Sequence, residues 1–126
     1  MQTGVARAEE PLPEVLKTRT KKFAIRVVRL FRSVRNVEEG RIIGRQVLRS
    51  GTAVAANYRV ACRARSHAEF VAKIGVVVGE ADETVFWLEL LVDTGVVSKS
   101  TMGSLLTEAN ELLAIFAASQ RTAKRQ

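Results

Sequence analysis

Proline is nearly missing from this chain. Pro11 and Pro13 are the only two, and the 113 residues after Pro13 contain none. Proline is the main interior breaker of helices, so its absence leaves helix available over the whole remainder. Cysteine occurs once, at Cys62, which excludes an internal disulfide and suits a reducing compartment. Histidine also occurs once, at His67. A di-iron bundle needs two Glu-x-x-His motifs on its core faces, and the sequence has neither. No apolar run approaches the ~18 residues that span a bilayer. The segment MQTGVARAEEPLPE lacks the apolar core of a secretory signal. A soluble, cytoplasmic protein with no membrane association is therefore expected. No phosphate loop, zinc-ligand spacing or dinucleotide fingerprint occurs. Cys62 and His67 lack a third group to orient a nucleophilic pair. The reading is accordingly a non-enzyme with no catalytic residue, no metal and no cofactor.

What remains is helical pattern. At 126 residues the chain fits one domain, which can bury roughly two-thirds of its unfolded surface without a covalent staple. Residues 1–13 read as a disordered leader, 14–123 as the folded unit and 124–126 as a basic tail. The first helix spans about Glu14 to Val37, with Phe23, Val27, Leu30, Phe31 and Val34 on one face. Glu38-Glu39-Gly40 is read as its stop, Gly40 taking a left-handed C-cap. The second runs from about Arg41 to Ala64, with Ile43, Val47, Val54, Tyr58 and Ala61 in its stripe and Gly51 allowing close approach. The third opens on the capping box Ser66-His67-Ala68-Glu69 and ends at Gly95. Its core face carries Phe70, Ile74, Val77, Ala81, Thr84, Leu88 and Leu91, and Val76, Phe86 and Leu90 form a second strip. A helix apolar on two sides is buried on two sides, so the second strip predicts a contact with another subunit. The fourth starts near Ser98 or Ser100, and Met102, Leu105, Leu106, Ala109, Leu112, Leu113 and Phe116 make its stripe. Four long helices with short connections predict an all-α, up-down-up-down antiparallel four-helix bundle.

Charge is divided along the chain. Lys17 to Arg65 holds fourteen Lys or Arg and two acids, whereas Ser66 to Gln120 holds two Lys and eight acids. The total is +7. Such a split predicts one surface that attracts polyanions. The first helix carries Lys17, Arg19, Lys21, Lys22, Arg26, Arg29, Arg32 and Arg35 with almost no acids to pair at i, i+4. The candidate phosphate ligands are Arg19, Lys22, Arg26, Arg29, Arg32, Arg59, Arg63, Lys124 and Arg125. Arg49 has a different expectation. Glu80 and Glu83 lie along one flank of the third helix, and forks between Arg49 and these acids would fix the register of one subunit on the next. Asn57, at the edge of the second stripe, reads as a structural hydrogen-bonding group that sets helix register. Trp87, Phe86 and Tyr58 read as packing residues. Without aromatics interleaved among cations, base stacking is not expected and contacts to nucleic acid would go to phosphates.

One stretch is more specific than a generic amphipathic helix. Arg49-Ser50-Gly51-Thr52-Ala53-Val54-Ala55-Ala56-Asn57-Tyr58 continues through Cys62-Arg63-Ala64-Arg65-Ser66, then Glu69-Phe70 and Lys73. Glu80-Ala81-Asp82-Glu83-Thr84, Trp87-Leu88-Glu89-Leu90-Leu91, Glu108-Ala109-Asn110-Glu111-Leu112 and Thr122-Ala123-Lys124 follow. This pattern resembles the four-helix-bundle proteins of open reading frames within bacterial 23S rRNA intervening sequences, over about residues 20 to 124. The resemblance implies a bundle assembled as a homopentamer, with no established catalytic activity. It implies a looser similarity to the basic, pentameric accessory proteins of diversity-generating retroelements, which partner a reverse transcriptase and nucleic acid. Many members carry an acid shortly after the asparagine, where this chain has Val60. The resulting expectation is a homo-oligomer that binds RNA or DNA phosphates, as an accessory factor for an RNA-related partner. The alternative is an adaptor whose basic face docks an acidic protein.

Overall fold

The computed structural model describes residues 12–126, and four helices account for most of them. They are α1 (Leu12–Val34), α2 (Glu38–Ala61), α3 (His67–Asp93) and α4 (Lys99–Lys124). Residues 1–11, the greater part of the expected leader, lie outside the described residues. α1 opens two residues before the expected Glu14, with Pro13 in its first turn. A missing N–H there has no helical partner to lose. No helix is long and apolar enough to cross a membrane among the described residues.

The helix boundaries follow local chemistry. Ser66 caps α3 by accepting a 3.1 Å bond from the Glu69 amide. Ser98 caps α4 by accepting from the Thr101 amide. Gly95 closes α3 with φ of +80°, and the Val97 amide donates back to the Leu91 carbonyl. The expectation for Gly40 is corrected. Glu38-Glu39 opens α2 rather than stopping α1, and Gly40 sits in the first turn of α2 without a left-handed backbone. Glycine is needed there for space, since a Cβ would lie 2.4 Å from the Val34 carbonyl oxygen. The acids at 38 and 39 suit a helix N-terminus, where the macrodipole is positive.

The helices pack in chain order as an antiparallel four-helix bundle. α1–α2, α2–α3 and α3–α4 approach closely along their lengths; α4 meets α1 at few backbone positions, and the diagonal pairs meet through side chains rather than by close backbone approach. Phe23 and Val27, Val47 and Val54, Ile74, Val77, Leu88 and Leu91, and Met102, Leu112 and Phe116 are fully enclosed. Each such side chain contributes roughly 1.5–3 kcal/mol by leaving water. Tyr58 of α2 and Phe116 of α4 touch across the diagonal with ring centroids 5.0 Å apart. Gly51 lets α2 settle on Val27, whose methyl groups would stand 2.9–3.0 Å from a Cβ. Among the described residues, nothing covers Val76 and Phe86 of the second apolar strip of α3. Val76 and Phe86 are 44% and 53% exposed, and Gly79 faces open space.

Candidate nucleic-acid interface

The basic residues of α1 separate into three rows when the helix is wound. Arg19 and Arg26 turn toward α4. Nε and Nη2 of Arg19 donate to the two carboxylate oxygens of Glu108, both at 2.8 Å, and Nη2 also reaches Glu111 at 2.6 Å. Arg26 donates to the Ser104 hydroxyl at 2.9 Å. Lys22, Arg29 and Arg32 point outward and are exposed. Lys17 and Lys21 turn toward α2 and share a groove with Arg59 and Arg63.

That groove runs between α1 and α2, with a volume of about 500 Å³. Thr18, Thr52, Ala55 and Ala56 complete it, together with one acid, Glu14, which is paired with Lys17 at 3.0 Å. Lys17 and Lys21 are one turn apart on α1, whereas Arg59 lies in the last turn of α2 and Arg63 in the turn that follows it. The antiparallel hairpin sets the two pairs against each other on opposite walls. Lys17 and Lys21 were legible as basic residues of α1, but only the hairpin register shows that they join Arg59 and Arg63. Lys124 and Arg125 end α4 at the same pole of the bundle, where Gln126 and Leu12 line a common cleft.

Among the described residues, four of the eight carboxylates of α3 and α4 are held in ion pairs: Glu80, Glu83, Glu108 and Glu111. Arg49 binds Glu80 at 3.3 Å and forks onto Glu83. These are the acids expected, but the pairing lies within one chain rather than between subunits. α2 and α3 are antiparallel neighbours joined by a five-residue turn, 62–66, and their register already places Arg49 opposite both. The Trp87 indole holds the Glu83 carboxyl below the usual carboxylate range, and Arg49 adds to the effect. Asn57 donates to the Ala53 carbonyl of its own helix at 2.9 Å, so it tightens α2 locally rather than joining two helices. His67 contacts the Ala123 carbonyl through Nε2 at 2.8 Å. It ties the start of α3 to the end of α4 rather than facing Cys62. Burial pushes the Tyr58 phenol up, and its contact with Cys62 pushes in the same direction.

Among the described residues, no group of His, Cys, Asp and Glu clusters as a metal site would require. Only Lys17, Arg19 and Arg49 are held in ion pairs among the described residues, all but one across helix seams. Lys21, Lys22, Arg29, Arg32, Arg35, Arg41, Arg45, Arg59 and Arg63 are exposed without a carboxylate within that set.

The fold and this surface define a small antiparallel bundle with one strongly basic side. The chain belongs to the family of 23S rRNA-intervening sequence proteins, whose model matches residues 15–118. It is also similar to a protein of unknown function from the S23 ribosomal protein family of Bacteroides thetaiotaomicron, whose crystal structure was solved at 1.70 Å. The two share 33% identity with a TM-score of 0.78, over 82% of this chain and 96% of the other. Among curated proteins, none matches.

Proposed function

We propose that this protein is a non-enzymatic, homo-oligomeric, cytoplasmic bundle that binds nucleic acid through phosphates on its α1–α2 side. One observation carries the reading: the outward cations of α1 and α2 lack internal partners among the described residues. A solvated face normally interleaves signs to gain i, i+4 pairs, whereas here eight of the 13 acids lie between Ser66 and Gln120, on α3 and α4. The arginines that do find carboxylates, Arg19 and Arg49, sit at helix seams and serve packing. The remaining cations would neutralise phosphates and release counterions. The uncovered Val76 and Phe86 strip of α3 supports self-association, and the family resemblance points to a pentamer. Repeating weak phosphate contacts around such an assembly would raise avidity. The role that follows is an accessory factor for an RNA-related partner.

The test is titration of labelled RNA and DNA across a salt series, with light scattering for the assembly. Binding should weaken steeply as salt rises, and Arg29→Ala with Arg32→Ala should reduce it. No binding near physiological salt sinks the reading. A stoichiometric acidic protein, bound in place of nucleic acid, would establish the adaptor role instead.

A further inference from the structure

We infer that the α1–α2 groove seats a single strand of phosphodiester backbone, with two neighbouring phosphates clamped between Lys17 and Lys21 on one wall and Arg59 and Arg63 on the other. This rests on the reading above and names the ligand and its seat. The argument is geometric. Residues four apart on a helix lie ~6 Å apart along its axis, close to the separation of adjacent phosphates in one strand. Lys17 and Lys21 carry this spacing on α1, and the antiparallel hairpin brings Arg59, in the last turn of α2, and Arg63, in the turn that follows it, to the facing wall.

The floor explains why a backbone can enter. Ala55 and Ala56 offer only methyl groups between the long basic stems. A flexible strand can follow two straight rungs, whereas a duplex turns its phosphates away along a helical path. Glu14 blocks little, because its pair with Lys17 is exposed and such pairs are weak in water. An acidic polypeptide fits less well. Peptide recognition depends on buried apolar or aromatic anchors, and no large apolar side chain lines this groove. The bases would remain outside, since no aromatic ring lines the groove to stack on them. Binding is accordingly indifferent to base sequence.

The experiment compares two charge-matched variants of the full chain. One is Lys21→Gln with Arg59→Gln, in the groove; the other is Arg29→Gln with Arg32→Gln, on the outer face. Circular dichroism and light scattering establish that each keeps the wild-type helicity and assembly. The probes are labelled oligo(U) and oligo(dT) of 15 nucleotides, a 15-base-pair duplex, and polyglutamate as competitor. The groove variant should lose about tenfold in single-strand affinity and flatten the log–log salt slope by ~1.4, two single-strand contacts' worth. The outer variant should lose less than about threefold. Ala56→Glu, which removes no cation but places a carboxylate on the floor, should reproduce the groove loss. Equal losses in the groove and outer variants overturn the seat while leaving phosphate binding standing. A selective groove effect on the duplex as well overturns the single-strand assignment. Polyglutamate competing as well as oligo(U), charge for charge, overturns the phosphodiester assignment. No wild-type binding removes both this inference and the reading beneath it.

Discussion

Ser50 of α2 and Thr84 of α3 meet hydroxyl to hydroxyl at 2.8 Å, both fully buried, in the seam between the two helices. Neither depends on the other alone. Ser50 also donates to the Gln46 carbonyl, and Thr84 lies 2.7 Å from the Glu80 carbonyl, so each hydroxyl has a partner on its own helix. Replacing Thr84 by Val keeps the shape and leaves Ser50 satisfied by Gln46. The expected cost is about 1 kcal/mol, measured by urea unfolding. Adding Ser50→Ala should cost less than the two single changes combined, because the hydroxyl–hydroxyl contact they share can be lost only once.

The Arg19 clamp closes the seam between α1 and α4. Its side chain is 32% exposed and that of Glu108 only 20%, so solvent weakens the pair without removing it. Arg19→Ala should destabilise the bundle by about 1 kcal/mol, the upper end for partly exposed pairs, because the fork is bidentate. Arg19→Lys should recover only part of this, since an ammonium cannot match the planar fork. Thermal unfolding of the three proteins at low and high salt provides the measurement, and the differences should shrink at high salt.

Trp87 is the only tryptophan, and its Nε1 donates at 3.0 Å to the Glu83 oxygen that Arg49 also holds. The Glu83 carboxyl is therefore ionised below the usual glutamate range. A depressed carboxylate contributes stability above its unfolded pKa of ~4.3, and that stability is lost as pH falls through the folded value. Indole emission should accordingly change with a midpoint below that of a free glutamate. Arg49→Gln should move the midpoint upward but not fully, because the Trp87 hydrogen bond, the larger cause, remains.

Three glycines should respond differently to alanine. Gly95→Ala forces a left-handed residue and should cost about 1–2 kcal/mol. Gly40→Ala drives a Cβ onto the Val34 carbonyl and should cost about 1–3 kcal/mol through displaced backbone. Gly79 meets nothing within 4 Å, so Gly79→Ala should stabilise α3 by about 0.5–1 kcal/mol in the isolated chain. Unfolding midpoints at matched protein concentration distinguish the three.

Much of the fold was legible because the apolar residues keep a 3.6-residue period and no proline interrupts them. Phe23, Val27, Val47, Val54, Ile74, Leu88, Leu112 and Phe116 all fall where that period places them. Gly40 was misread because glycine serves two needs, a left-handed backbone and a close approach, and sequence alone does not separate them. Arg49, Glu80 and Glu83 were matched correctly as chemistry but assigned to two chains. Pairing preference says nothing about whether the partners share a polypeptide. The split of the α1 cations among three rows was hidden for a related reason. A charge run records composition, while the side each residue faces depends on which neighbours α1 acquires.

The sparse backbone approach of α1 to α4 also bears on how the chain reaches this structure. Three of the four seams join helices adjacent in sequence, so most native contacts can form by local hairpin closure. Such low contact order favours rapid folding. The last seam closes the longest loop, and its polar stitching by Arg19 and Arg26 can form only after the hairpins have docked. Stopped-flow kinetics should then show Arg19→Ala accelerating unfolding while leaving the folding rate nearly unchanged. The latch between the first and last helices thus governs how long the bundle stays shut, more than how quickly it assembles.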